Sequence, residues 1–181
     1  MKLIRNIIVT LALLLFVSKL SAQTISYDTC GNLQQYEGEW LHVNGQDTIR
    51  IYLKAKRTLS QEYPQHMSDD LWGWHEYKRG NIIIESNYQN RFSSLPYNSD
   101  EIIENDLCSI SLKPYRCNIS SNKLIGSIND IIVTEEFHTV IVKLSNNNTV
   151  MTWKQNHREG FGVFTGGTGM TLPKNFVLIK Q

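Results

Sequence analysis

Apolar and polar residues alternate along most of this chain with a period of two residues. In residues 48–54, isoleucine or leucine stands at every second position, and polar residues or tyrosine stand between them. Such alternation is typical of a strand with one buried face. Residues 39–43 precede this run, and Asn44-Gly45, a dipeptide favoured in tight turns, joins the two segments. The pattern predicts a β-hairpin.

The same pattern recurs to the end of the chain and predicts about eight to ten strands in meander order. We expect two more hairpins, one over residues 71–85 and one over residues 139–154, and short helices only near residues 32–37 and 100–105. Further strands are predicted at 108–112, 123–128, 131–133 and 176–179. The fold class is therefore all-β. A lipocalin-like antiparallel barrel is favoured and a β-sandwich is the alternative, because both architectures produce this alternation.

The first 22 residues have the features of an export signal. Lys2 and Arg5 precede an apolar run over residues 7–17, and the small residues Ser21 and Ala22 follow it. The run is shorter than the roughly 20 residues that a membrane-spanning helix needs. We expect cleavage after Ala22, no membrane anchor afterwards, and a periplasmic or secreted product. Residues 23–37 would form an N-terminal extension, and residues 38–181 a single domain.

Charge narrows the choice of partners. The predicted signal contains three of the 18 basic residues and no acidic one, so the remaining chain carries 15 basic and 17 acidic residues, a formal charge of −2. The remaining chain contains no run of basic residues. Nucleic acid is therefore not an expected partner.

Three cysteines remain after residue 22. Cys108 and Cys117 flank a plausible turn and are the preferred candidates for a disulfide, since thiols in an oxidising compartment tend to pair. Pairing of either one with Cys30, or three reduced thiols, remains open. No cysteine or histidine has the spacing of a metal site, and no cofactor is indicated.

Gly38-Glu39-Trp40 resembles the glycine-x-tryptophan signature that opens the lipocalin and wider calycin barrels, where the indole plugs one end of the barrel. The chain lacks the later threonine-aspartate-tyrosine signature of that group and has no arginine near its last strand to cover the indole. A tryptophan that simply buries a large apolar area is the alternative interpretation of Trp40.

A second resemblance extends over most of the chain. Its residues are Tyr-Glu-Gly-Glu-Trp at 36–40, Trp-His-Glu-Tyr-Lys-Arg-Gly-Asn at 74–81 and Leu-Pro-Lys-Asn-Phe at 172–176, after a signal that ends in Ser-Ala-Gln. These segments look like the small exported domain-of-unknown-function proteins common in Bacteroidetes. The resemblance implies an exported β-rich domain and supplies no catalytic residues.

Motifs for catalysis are weak. The glycine-rich residues 160–169 are followed by proline and a strand instead of a helix, so a bend is a better interpretation than a phosphate loop. No Gly-x-Ser-x-Gly elbow is present. Acidic residues in polar stretches could serve a hydrolase only if the fold brought them into one cleft. These residues are Asp69, Asp70, Asp100 and Glu101.

The strand over residues 71–77 is the best candidate for binding. Trp72 and Trp74 share one face, and His75 and Tyr77 share the other; with Trp40 they form the predicted binding set. A pair of core tryptophans is the alternative interpretation of Trp72 and Trp74, since large aromatic side chains mostly pack inside. We therefore expect a non-enzymatic binding module for a small apolar ligand or a surface partner, with no catalytic residues assigned. A secreted hydrolase that uses the acids above and a structural envelope-associated protein are the alternatives.

Overall fold

The computed structural model describes residues 33–59, 67–104, 107–114, 122–132, 137–145, 147–156 and 171–181. The predicted signal, Cys30, Cys117 and the glycine-rich residues 160–169 lie outside these ranges. Export, cleavage and the disulfide therefore stay predictions.

Nine strands account for most of the described residues and confirm the all-β class. They are β1 (Gly38–Asn44), β2 (Asp47–Leu59), β3 (Met67–Arg79), β4 (Ile82–Ser86), β5 (Ile110–Pro114), β6 (Lys123–Asn129), β7 (Phe137–Leu144), β8 (Val150–Asn156) and β9 (Asn175–Lys180). All neighbouring strands are antiparallel.

The strands form a closed barrel. The sheet order is β2-β1-β9-β8-β7-β6-β5-β3, and β3 pairs back on β2 over its whole length. Eight strands close the ring, and β4 is an additional strand on the edge of β3. Closure decides between the two predicted architectures, since the two sheets of a sandwich would not join in this way.

The first hairpin follows the predicted pattern. Trp40 on β1 lies opposite Ile51 on β2, and Gly45 takes a φ of 61° in the turn. Ile49 and Ile51 point into the barrel with 0% exposure, while Arg50 between them is exposed. The alternation in the sequence therefore marks the inner and outer faces of the wall.

Two parts of the strand prediction are wrong. The strands predicted at 48–54 and from residue 71 are too short: β2 continues to Leu59 and β3 begins at Met67, because main-chain pairing between them does not require an apolar alternation. Ile131 and Ile132 were expected in a strand and form a bend instead. Their backbone N–H groups donate to the side chains of Glu85 and Asp130.

Short helices occur at both predicted places. A 3₁₀ turn spans Leu33–Tyr36, and a one-and-a-half-turn helix, α1, spans Ser99–Glu104. A second 3₁₀ turn, Tyr88–Asn90, follows β4. Within the described residues, no helix has the length and apolar character needed to cross a membrane.

Apolar side chains form two clusters. The larger one lies inside the barrel and includes Trp40, Trp153 and Leu178; Leu33 and Tyr36, which the sequence placed in the extension, pack into it. The smaller one lies on the outer side of β3, where Trp72 and Trp74 contact Leu95, Ile102 and Cys108. The barrel wall around β3 is therefore packed on both of its faces.

Candidate functional site

One end of the barrel is closed by aromatic side chains, and we call it the indole end. The indole Nε1 of Trp40 donates to the carbonyl of Tyr36 at 2.7 Å. The Tyr36 hydroxyl donates to the carbonyl of Asn122, and burial raises the pKa of this phenol. The 3₁₀ turn is thereby fixed across the end of the barrel.

Lys180, on the last strand, covers the indole. Its Nζ lies 5.3 Å from the centre of the Trp40 ring and donates to the carbonyl of Gln35 at 2.8 Å. An ammonium over an indole face is a favourable cation–π contact. The sequence has no arginine near its last strand to cover the Trp40 indole, and Lys180 covers it instead.

The aromatic strand β3 divides its predicted binding residues between two faces, as the alternation predicts. Trp72 and Trp74 lie on the outer face but are only 3% and 0% exposed, because the segment that contains Leu95 and Ile102 covers them. The Trp74 indole donates to the carbonyl of Leu107 at 2.7 Å. The binding role of this pair stays a prediction, and its exposed surface in the structure is small.

The inner face of β3 carries a buried hydrogen-bonded cluster. His75 Nδ1 lies 2.7 Å from Ser109 Oγ, and His75 Nε2 lies 3.4 Å from Glu85 Oε1. Asn87 Oδ1 accepts the backbone N–H of His75 and lies 3.3 Å from Ser109 Oγ. The cluster joins β3, the end of β4 and the residue before β5.

Serine, histidine and a carboxylate are also the residue types of a nucleophilic triad. Here His75 is 0% exposed and Ser109 is 4% exposed. A nucleophile must reach its substrate, so this burial favours a structural role. Since β4 and β5 occupy successive parts of the same edge of β3, the cluster holds the two strands at their junction.

Two buried side chains on β8 have polar atoms without a partner. The indole Nε1 of Trp153 and both amide atoms of Gln155 make no hydrogen bond, although the residues are 1% and 6% exposed. Both side chains point into the barrel, where the Trp153 ring stacks on Phe176 at 5.5 Å between centroids. A buried polar atom left unpaired costs about 1–3 kcal/mol, so such groups usually have a water or a ligand as partner.

Buried charge inside the described residues is acidic. Glu85 and Asp130 are 3% and 2% exposed, and no lysine or arginine is among the buried residues. Glu85 Oε2 accepts the backbone N–H of Ile131, and Asp130 accepts those of Ile132 and Thr171. The end of the barrel opposite the indole end therefore has polar groups in its interior. We call it the polar end, defined by His75, Glu85, Ser109, Asp130 and Gln155.

Tyr77, the remaining residue of the predicted binding set, lies at the rim of this end. Its hydroxyl donates to Asp47 at 2.9 Å and accepts from Arg79 at 2.6 Å. Hydrogen bonds from Arg79 and Tyr77 lower the pKa of the Asp47 carboxyl. The three side chains fasten the ends of β2 and β3 to each other.

The acids proposed for a hydrolase lie on two elements, and a shared catalytic cleft stays a prediction. Asp69 and Asp70 lie on β3 instead of in a loop, and Asp69 pairs with Arg57 at 2.8 Å. Burial raises the pKa of Asp70. Asp100 and Glu101 belong to α1. Among the described residues, no group of three or more His, Cys, Asp or Glu is arranged to hold a metal ion.

Cys108, one half of the predicted disulfide, is a buried free thiol in this structure. Burial raises its pKa to about 12. A thiol with this pKa is almost wholly protonated at neutral pH and therefore a poor nucleophile. Because Cys117 lies outside the described residues, the pairing of these two cysteines stays a prediction.

Sequence reasoning missed Trp153, Gln155, Glu85 and Ser109. The available signal for the first two was alternation: Trp153 was predicted in a strand, and Gln155 stands two positions later on the same face. Nothing in the sequence pointed to Ser109 and Glu85, since they meet His75 only through strand pairing.

Comparison with known proteins gives one match. A family model described as a family of unknown function, DUF6705, matches residues 1–181. No curated protein and no solved structure matches the chain.

Proposed function

The chain belongs to the DUF6705 family, whose function is unknown, and we propose that it is an exported, non-enzymatic binding module. Its barrel holds a small, mainly apolar ligand that also carries a hydrogen-bonding group. The interior of an eight-stranded barrel is wide enough for side chains or for one small ligand.

The observation that carries this proposal is the unpartnered amide of Gln155 beside the unpartnered indole N–H of Trp153. Together they offer two kinds of donor and one acceptor where the apolar core of the barrel meets the polar end. A ligand that bonds to these atoms would remove the cost of leaving them unpaired. Phe176, stacked on Trp153, provides an apolar surface for the rest of the molecule.

An enzyme is less well supported by the described residues. The Ser109–His75–Glu85 cluster has triad-like contacts but is buried, and Asp69 is paired with Arg57. A surface partner would have to use the outer wall, where Trp72 and Trp74 are already covered. Ligand binding inside the barrel would give partners to the three unpaired atoms of Trp153 and Gln155.

Tryptophan fluorescence of the purified protein tests the proposal directly. The protein is titrated with fatty acids, sterols, haem and oligosaccharides, and we expect a saturable change with one class. The change should be lost in Gln155→Leu and kept in Gln46→Leu, a matched substitution at an exposed turn. A flat response across the panel, with a folded protein by circular dichroism, would contradict the binding module.

The export part of the proposal needs a separate measurement. The native chain is expressed with its own first 22 residues, and the N-terminus of the product is sequenced from each cell fraction. We expect the sequence to begin at Gln23 in the periplasm or the medium. A product that stays in the cytoplasm and keeps Met1 would refute export without affecting the ligand site.

A further inference from the structure

We propose that the ligand is an uncharged molecule whose hydroxyl or carbonyl group bonds to Trp153 and Gln155, and that the barrel rejects the corresponding carboxylate. This inference rests on the proposed function and adds the chemical class of the ligand. It follows from the charges and from the unpaired atoms in the barrel interior.

The unpaired atoms on β8 define a neutral recognition group. Trp153 Nε1 is a donor only, and the Gln155 amide offers two N–H donors and one carbonyl acceptor. The two residues are two positions apart on one face of β8, which corresponds to roughly 6–7 Å along a strand. A hydroxyl donates and accepts at once and so suits an amide; a carbonyl accepts from the two N–H groups.

Charge disfavours an anionic ligand. A buried carboxylate needs a cation or several charge-assisted hydrogen bonds to offset its loss of hydration. The buried residues in the described ranges include no lysine or arginine, whereas Glu85 and Asp130 add negative charge at the polar end. Lys180 is on the inner face of β9, but it is engaged with Gln35 and Trp40 at the indole end.

A cationic ligand is also disfavoured. Both carboxylates at the polar end already have neighbours: Glu85 accepts from the N–H of Ile131 and faces His75 Nε2 at 3.4 Å, and Asp130 accepts from Ile132 and Thr171. His75 and His138 are the other buried titratable groups facing this region. The remaining free positions on Trp153 and Gln155 are neutral.

The test compares three probes of equal length: 1-decanol, decanoate and decylamine. Each is titrated into the protein at pH 8, where decanoate is ionised, and tryptophan fluorescence is followed. We expect saturable binding of decanol, with decanoate and decylamine at least about tenfold weaker because each would bring an uncompensated charge into the barrel. Equal or tighter binding of either charged probe would overturn the inference and leave the binding module intact.

A substitution at Gln155 tests whether its side-chain amide is the group that recognises the ligand. Gln155→Met keeps an unbranched side chain of similar size but has no donor and only a weak acceptor. We expect decanol to bind about tenfold more weakly to this variant, while decane, which has no polar group, binds as it does to the original protein. Gln46→Met is the matched surface control. An equal loss for decane and decanol would show that the amide is not the recognition group.

A failure of the probes to bind would distinguish this inference from the proposed binding module. If no ten-carbon probe changes the fluorescence but another class in the wider panel does, this inference fails and the binding module stands. If the whole panel is flat in a folded protein, both fail.

Discussion

At Gly126 the barrel wall has no room for a side chain. A Cβ atom there would collide with the carbonyl oxygen of Ser111 and would lie 2.8 Å from Leu112 Cα on the paired strand β5. Both of these neighbours are backbone atoms in the ladder, so they cannot move aside independently. A glycine within a strand often marks such a close approach.

Gly126→Ala should therefore destabilise the protein by about 3 kcal/mol or more, since the pairing of β5 with β6 must be distorted. Urea denaturation followed by circular dichroism measures this change. Ser127→Ala, at the next residue on the outer face, should stay within about 0.5 kcal/mol of the original protein. Equal stability of the two variants would contradict the close approach at Gly126.

Tyr36 makes stability depend on pH at the alkaline end. Burial raises the pKa of its phenol in the folded state, whereas in the unfolded chain a tyrosine titrates near pH 10. Below about pH 10 both states keep the proton, and the stabilising contribution is complete. Above that pH the unfolded state loses the proton first, so the folded state loses stability as pH rises.

Tyr36→Phe tests whether the phenol causes this loss of stability at high pH. At pH 8 the variant should be less stable by about 1 kcal/mol, because the hydrogen bond to Asn122 is lost. Between pH 8 and pH 10.5 the original protein should lose about 0.8 kcal/mol more than the variant, which has no phenol to ionise. Parallel stability curves would show that Tyr36 does not titrate abnormally. Shifts at other groups, such as Cys108, affect both proteins and cancel.

At the scale of elements, α1 and the preceding segment act as a cover for the outer face of β3. Ile102 is 0% exposed and packs with Leu95 against Trp72 and Trp74. The bond from Trp74 Nε1 to the Leu107 carbonyl ties the cover to the strand. The two tryptophans are thus part of a second small core, which agrees with the alternative interpretation of this pair.

Ile102→Asp should release this cover, because a buried carboxylate without a partner costs more than the contacts of the segment provide. We expect a red shift of tryptophan emission and a Tm lower by several degrees, with the strand signal in circular dichroism retained. Ser94→Asp adds the same charge at an exposed site in the same segment and should change neither measurement. An unshifted emission spectrum in Ile102→Asp would refute the packing of α1 on the indoles.

Individual strands were predictable, but their partners were less so. The hairpins β1–β2, β3–β4 and β7–β8 join neighbours in sequence, and turn residues such as Asn44-Gly45 indicate them directly. The side-by-side placement of β4 and β5 on one edge of β3 depends on long-range contacts, including that between His75 and Ser109. Local alternation contains no information about such contacts, and for this reason the polar end was not predicted.

At the scale of the whole molecule, β9 closes the ring. It pairs with β8 on one side and with β1 on the other, so the barrel has no gap between its first and last strands. Alternation predicted that β9 has two faces, but a sandwich strand would show the same pattern. Closure became evident only from the pairing of Trp40 and Leu41 with Lys180 and Ile179.

The two faces of β9 give a sharp test of the closed barrel. Leu178 points inward with 0% exposure, whereas Val177 and Ile179 are 47% and 57% exposed on the outer wall. Leu178→Lys would bury an ammonium in the apolar core and should cost more than about 4 kcal/mol, enough to prevent folding in a marginally stable domain. Val177→Lys and Ile179→Lys place the same group in water and should change the unfolding free energy by no more than about 0.5 kcal/mol. Thermal melts of the three variants compare these costs directly. Unfolding of the Val177 or Ile179 variant would mean that the outer face of β9 is covered, and a folded Leu178 variant would mean that its inner face is not enclosed by the barrel.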